Sequence, residues 1–250
     1  VNTLEMDVVI SKDGKVLLSH EPFMSHEICL DSSGSEINEE QEKSFNLYKM
    51  TYQEITKFDC GLKPHPRFPE QKKIAVVKPL LSDVIDAVEE YLISRNTAKV
   101  QYNIETKSTP DGDGIYNPLP AEFAELLIKV ITEKNILSRT IIQSFDIRTI
   151  QYIKQHYPKV KIALLIESDT DYKKNIQQLG FVPDIYSPNF FLVDKGLMNF
   201  AGDKGMKVIP WTLNDKTSMG KVLDLGVDGI ITDYPDIAKE FVQILRTGNR

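Results

Sequence analysis

The feature that most constrains this chain is a rhythm. Beyond residue 98, short β-branched runs alternate six times with longer amphipathic ones, the pattern of successive βα units laid around a parallel sheet. Strands are expected at Lys99–Thr106, Thr140–Ser144, Lys161–Ile166, Asp184–Ser187, Lys207–Thr212 and Gly229–Thr232. Helices are expected at Pro120–Lys134, Ile147–His156, Asp171–Leu179, Lys195–Lys204, Lys216–Leu225 and Pro235–Leu245. Asp146 and Asp215 stand where N-caps belong, and Gly180, Gly205 and Gly226 stand where helices should end. One further strand, Thr3–Ile10, turns through Ser11-Lys12-Asp13-Gly14 into Lys15–Ser19 as a hairpin.

Seven such strands suit a doubly wound open sheet or an eight-stranded barrel short of one unit. Neither GxGxxG nor the GxxxxGK loop of nucleotide-binding open sheets occurs, so a TIM-type (β/α)8 barrel lacking its first βα unit is the favoured reading, one domain over residues 1–250. Residues 22–73 break the rhythm with SSGS, EINEEQEK and HPRFPEQKK. They read as a small inserted subdomain over the barrel mouth. A helix at Lys78–Leu92 follows, with Pro79 near its first turn and Ser82 as its cap.

Composition narrows the partners. Thirty Lys and Arg against thirty-six Asp and Glu give a net charge of −6, so no overall basic field draws nucleic acid or an anionic membrane. No run approaches the ~18 apolar residues of a membrane-spanning helix. Cys29 and Cys60 allow at most one disulfide and leave the compartment open between cytoplasmic and periplasmic or secreted. The first residue is Val rather than Met, which fits a chain without its leading segment.

In barrels of this kind chemistry gathers at the C-terminal ends of the strands. Glu5 and Asp7 are two apart on a strand and leave on one face. Either they belong to a solvent-facing edge or a cation holds them together, and a hard divalent ion with oxygen ligands is the usual answer. Glu105 and Lys107, also two apart, close another strand; alone they read as a surface ion pair. Together the three carboxylates make a Mg²⁺ or Ca²⁺ site, and the lysine suits a substrate phosphate. His20 ends KVLLSH and can move a proton near neutral pH, although a lone histidine at a strand end is more often structural. His26, His65 and His156 read as surface residues. Gln143 ends the strand before Ser144-Phe145-Asp146 and can point into the site, and Trp211, the single tryptophan, is either an apolar wall or core.

The run LEMDVVISKDGKVLLSHEP, with NIETK, QSFD, VIPWTLND and GVDGIITDYPD in that order, closely resembles the glycerophosphodiester phosphodiesterase family across nearly the whole chain. The resemblance implies a TIM-type barrel that hydrolyses small-molecule glycerophosphodiesters to glycerol 3-phosphate and an alcohol with a divalent metal. It implies Glu5, Asp7 and Glu105 as metal ligands, His20 as one of two catalytic histidines, Lys107 near the phosphate and Trp211 lining the site. The attacking group would be water or the neighbouring glycerol hydroxyl. An insertion after the second barrel strand also fits. The family's His-Arg-Gly and Glu-Asn-Thr motifs are not in these 250 residues, which implies that the natural polypeptide starts about 40 residues upstream, roughly one βα unit plus a lead. The alternatives are a phospholipase D-like or phosphatidylinositol-specific phospholipase on a related barrel, and a non-catalytic barrel binding protein.

Overall fold

A computed structural model describes residues 1–247, with side chains through residue 241. Seven strands form one sheet: β1 (Thr3–Ile10), β2 (Val16–Leu18), β3 (Gln101–Thr106), β4 (Thr140–Ser144), β5 (Lys161–Ile166), β6 (Ile185–Pro188) and β7 (Lys207–Val208). Their order is β2-β1-β3-β4-β5-β6-β7, and among the described residues the sheet is not closed. The chain divides into two compact units, and the division passes through β1 and β3.

The unit made of Met6–Lys99 and Ile104–Thr140 begins with the expected hairpin. β1 and β2 pair antiparallel with Val9 opposite Leu17 and Ile10 opposite Val16. The turn is closed by Gly14, whose φ of 69° favours glycine, and by the Ser11 hydroxyl donating to Asp13. Directly opposed residues share a face, so Val9 and Leu17 turn toward one core while Val8, Ile10 and Val16 turn toward another. The Val9 face is covered by the insertion: Met24, Cys29, Ile37, Leu47, Ile55 and Phe58 are buried against Val9 and Leu17. The inserted residues build no strand and only short helical turns, at Glu42–Ser44, Leu47–Lys49 and α1 (Tyr52–Ile55). Asn46 and Thr51 cap the second and third of these, Thr51 in a reciprocal capping box with Glu54. A disulfide joins Cys29 to Cys60. His26, expected at the surface, is half-buried and takes its place through Glu42, whose Oε2 accepts from the His26 backbone and meets its Nδ1 at 2.7 Å.

The insertion returns along β2. Leu80 bridges Leu17, and the Leu18 N–H donates to the Pro79 carbonyl, so residues 78–80 run antiparallel beside β2 with Lys78 opposite Ser19. Helix α2 (Leu81–Ser94) then starts from Leu80, which makes no side-chain cap. Ser82 is therefore not the cap: it lies inside the first turn, and its hydroxyl goes to Asp83. Helix α3 (Pro120–Glu133) matches expectation, with proline in its first turn and Phe123, Ala124, Leu127, Ile128 and Ile131 buried at helical spacing.

The other unit, Val1–Glu5, Val100–Asn103 and Ile141–Arg250, holds the regular βα succession. β4, β5, β6 and β7 pair parallel, with Ile142 opposite Ile162, Ala163 opposite Ile185 and Ile185 opposite Lys207. The returning helices are α4 (Ile147–His156), α5 (Tyr172–Leu179), α6 (Lys195–Lys204), α7 (Lys216–Asp224) and α8 (Pro235–Thr247). Asp146, Asp171, Asp194 and Asp215 each accept a backbone N–H at the start of a helix. Gly180 and Gly205 end α5 and α6 in the left-handed conformation.

Two expected strands are shorter than the sequence suggests. β7 stops at Val208 because Pro210 has no N–H to continue the ladder, although Trp211 still bridges Asn189. Gly229–Thr232 forms no strand. It is held by scattered bonds, Asp228 N–H to the Val208 carbonyl and Ile231 N–H to the Pro210 carbonyl.

The disulfide closes a loop of 31 residues, which in the chain-entropy account contributes about 4 kcal/mol. The paired Cys29→Ala, Cys60→Ala variant is expected to lose about that much in urea unfolding, and a midpoint equal to the parent would show that the insertion's apolar core suffices alone.

Candidate active site

β1 alternates between two media. Met6, Val8 and Ile10 are buried, while Glu5 is exposed and Asp7 half-buried on the other face. On β3 the same period of two places Asn103, Glu105 and, just beyond the strand, Lys107 on one side. Backbone bonds set the register: the Gln101 N–H donates to the Asn2 carbonyl and the Lys107 N–H to the Val8 carbonyl. Both partners advance by six, so β1 and β3 run parallel.

This register brings the predicted acidic residues together. One carboxylate oxygen from each of Glu5, Asp7 and Glu105 lies within 4.8 Å of the others. Lys107 Nζ stands 2.8 Å from Glu105 Oε1 and 3.9 Å from Asp7 Oδ1. Glu105 is only 7% exposed; burial pushes its pKa up to about 7, against the pull of Lys107 and with Asp7 adding to the rise. Burial alone would lower the Lys107 pKa, and the Glu105 and Asp7 carboxylates more than reverse this. At 4.8 Å and an effective dielectric of about 20, ionised Asp7 and Glu105 repel by about 3 kcal/mol. One ammonium against three carboxylates leaves two negative charges over when all are ionised. That donor set, all oxygen and clustered, fits a hard divalent cation.

Gln143, at the end of β4, donates from Nε2 to Glu5 Oε1 at 2.7 Å and accepts from Asn103 Nδ2 at 2.8 Å. As the sequence suggests, it points to the acidic cluster, where its amide meets the Glu5 carboxylate. Asn103, a buried strand residue that sequence reasoning passed over, orients Gln143 in turn, and its own Oδ1 has no partner. Its position two before Glu105 is the signal that could have found it.

His20 follows β2. The imidazole is exposed, its Nδ1 meets Glu21 Oε1 at 2.6 Å, and that bond raises its pKa above 6.5 against desolvation and the charge of Lys107. The same bond lowers the Glu21 carboxyl below 4.5, with Lys78 contributing. Lys78, also missed in the sequence, is 5% exposed and donates from Nζ to Ser19 Oγ at 2.8 Å. Trp211 is half-buried, its Nε1–H on the Ser187 carbonyl at 2.9 Å and its ring edge-on to Phe145 at 5.6 Å. In the 3-10 turn Phe190–Leu192 that follows β6, Phe190 and Phe191 lie with ring centroids 3.9 Å apart, and Phe191 is 80% exposed.

An α/β sheet with three clustered carboxylates, a lysine beside them and a histidine just past a strand suits a phosphate-ester hydrolase. The chain belongs to the glycerophosphoryl diester phosphodiesterase family, whose model matches residues 1–237. It is 28% identical over 249 residues to a glycerophosphodiester phosphodiesterase from Caldanaerobacter subterraneus subsp. tengcongensis, covering 98% of this chain and 86% of that protein. The crystal structure of a candidate glycerophosphoryl diester phosphodiesterase from Silicibacter pomeroyi superposes with a TM-score of 0.85 at 25% identity, covering 98% of this chain and 84% of that one. A phosphodiesterase from Oleispira antarctica, solved with its product sn-glycerol-3-phosphate, shares the fold with a TM-score of 0.73 at 17% identity, over 97% of this chain and 85% of that one.

The His20–Glu21 pair has a defined pH window. A raised histidine pKa stabilises below 6.5 and is lost as pH rises through the folded value; a lowered glutamate pKa stabilises above 4.5 and is lost as pH falls. The pair is therefore fully formed between these limits. An NMR titration of His20 is expected to give a midpoint above 6.5 that Glu21→Gln moves down, and an unmoved midpoint would break the assignment.

Proposed function

We propose that the protein hydrolyses glycerophosphodiesters to glycerol 3-phosphate and an alcohol, with Glu5, Asp7 and Glu105 holding one divalent cation, Mg²⁺ or Ca²⁺. The observation that carries this reading is the convergence of three carboxylates from β1 and β3 with Lys107 among them. A divalent cation, when bound, supplies charge neutralisation and Lewis-acid polarisation at the phosphate oxygens. Lys107 adds a fixed positive charge against the phosphate as negative charge builds in an in-line displacement. As the attacking oxygen, from water or the neighbouring glycerol hydroxyl, bonds to phosphorus and the bond to the alcohol oxygen breaks, His20, whose protonated form Glu21 favours, delivers its proton to the departing alcohol oxygen. Gln143 and Asn103 keep Glu5 aimed, and Trp211 forms an apolar wall for the alcohol. The 22–73 insertion, packed on the Val9 face that also carries Asp7, is read as a cover for that side of the site. The Cys29–Cys60 bond supports an oxidising compartment.

The test is glycerol 3-phosphate release from glycerophosphocholine by the natural polypeptide, with and without EDTA. Activity is expected to vanish with chelator and return with Mg²⁺ or Ca²⁺, and His20→Ala is expected to lower kcat by about 10² to 10⁴. Full activity in EDTA, or in the Glu105→Gln variant, would overturn the metal assignment.

A second reading has one specific observation behind it. Exposed Phe191 lies tilted on Phe190, whose N–H donates to the Trp211 carbonyl, and Phe145 stands edge-on to Trp211; together these rings offer an apolar lip suited to an acyl chain, as a phospholipase D-like activity on lysophospholipids would need. Phe191→Ser is then expected to slow release from lysophospholipid while sparing glycerophosphocholine. Equal effects on both substrates would return the patch to an ordinary surface role.

A further inference from the structure

Lys78 carries a positive charge that is buried, lies outside every ion pair found for the described lysines, and takes no part in the chemistry above. Its place follows from pairing. Leu80 bridges Leu17 and the Leu18 N–H reaches the Pro79 carbonyl, which sets Lys78 opposite Ser19. The Ser19 N–H in turn donates to the Asp7 carbonyl at 3.1 Å. Asp7, Ser19 and Lys78 thus form one cross-strand row on the face that carries the acidic cluster. Lys78 Nζ donates to Ser19 Oγ at 2.8 Å, and Ser19 Oγ donates to the Glu21 carbonyl at 2.5 Å. The ammonium therefore anchors the Ser19 hydroxyl, which itself closes the three-residue turn whose middle residue is His20. Its charge also acts on the Glu21 carboxylate that holds the imidazole.

A buried ammonium without a close carboxylate is costly, and an apolar side chain of similar length would fill the same space at less expense. Burial lowers its pKa to about 8, with Glu21 opposing, so it remains charged at neutral pH. We propose that Lys78 is a positioning residue that acts through Ser19 and Glu21 to aim His20 at the reacting phosphate ester. The proposal rests on His20 being the proton donor. It predicts a role in turnover rather than in substrate affinity, because the lysine reaches the site only through another side chain.

A double-variant cycle in the natural polypeptide with glycerophosphocholine tests it. Lys78→Met is expected to lower kcat about tenfold or more, with KM unchanged and the thermal midpoint held or raised. Combining it with His20→Ala should cost no more than His20→Ala alone. Multiplying losses would show that Lys78 acts independently of His20 and would overturn the proposal, as would a change confined to KM. Should Lys78→Met fail to fold, Ser19→Ala breaks the same link and takes its place in the cycle. If His20→Ala is itself without effect, the proton-donor reading fails, and a Lys78→Met loss that persists in that background separates the two failures.

Discussion

The strand Thr3–Ile10 has to satisfy two media at once. One face carries Met6, Val8 and Ile10 into the interior, and the other carries Glu5 and Asp7 to a polar site before ending in Val9 under the insertion. Because side chains alternate with a period of two, a slip of one residue would bury two carboxylates and expose three aliphatics. The hairpin with β2 and the bonds to β3 hold the register, and every partner of the acidic pair depends on it. Lys107 reaches Asp7 only because its own N–H is on Val8.

Positive charge is distributed around this face in two ways. Lys107 meets carboxylates directly and is held ionised by them. Lys78 is reached through a hydroxyl and a backbone carbonyl, and its field falls on Glu21 rather than on the acidic cluster. The first arrangement is electrostatic neutralisation. The second uses a buried donor to restrict a turn, and it depends on the return path of residues 78–80 along β2.

Much of this was readable from the sequence, and the exceptions have separate causes. The helices at 147–156 and 195–204, the aspartate caps and the Glu5, Asp7, Glu105 and Lys107 grouping follow from periodicity and local chemistry. Lys78 did not stand out because its opposition to Ser19 is set by chain return across 59 residues, which no local pattern encodes. Asn103 was hidden for a different reason: it is one of several polar residues in β3, and nothing local shows that its amide serves Gln143. The strand endings at Lys207–Thr212 and Gly229–Thr232 were overestimated because β-branched composition speaks to burial, while ladder membership needs donors, and Pro210 supplies none.

The packing of Met24, Leu47 and Ile55 onto Val9 and Leu17 has a consequence for how such a chain can change over generations. Polar stretches such as 31–35 touch little and are free to drift in length or composition. The apolar residues beneath them are not, since trimming the insertion would uncover two aliphatic side chains on the same face of the sheet as the carboxylates. A shortened descendant would need a new greasy cover at that spot, or a second protein to provide one.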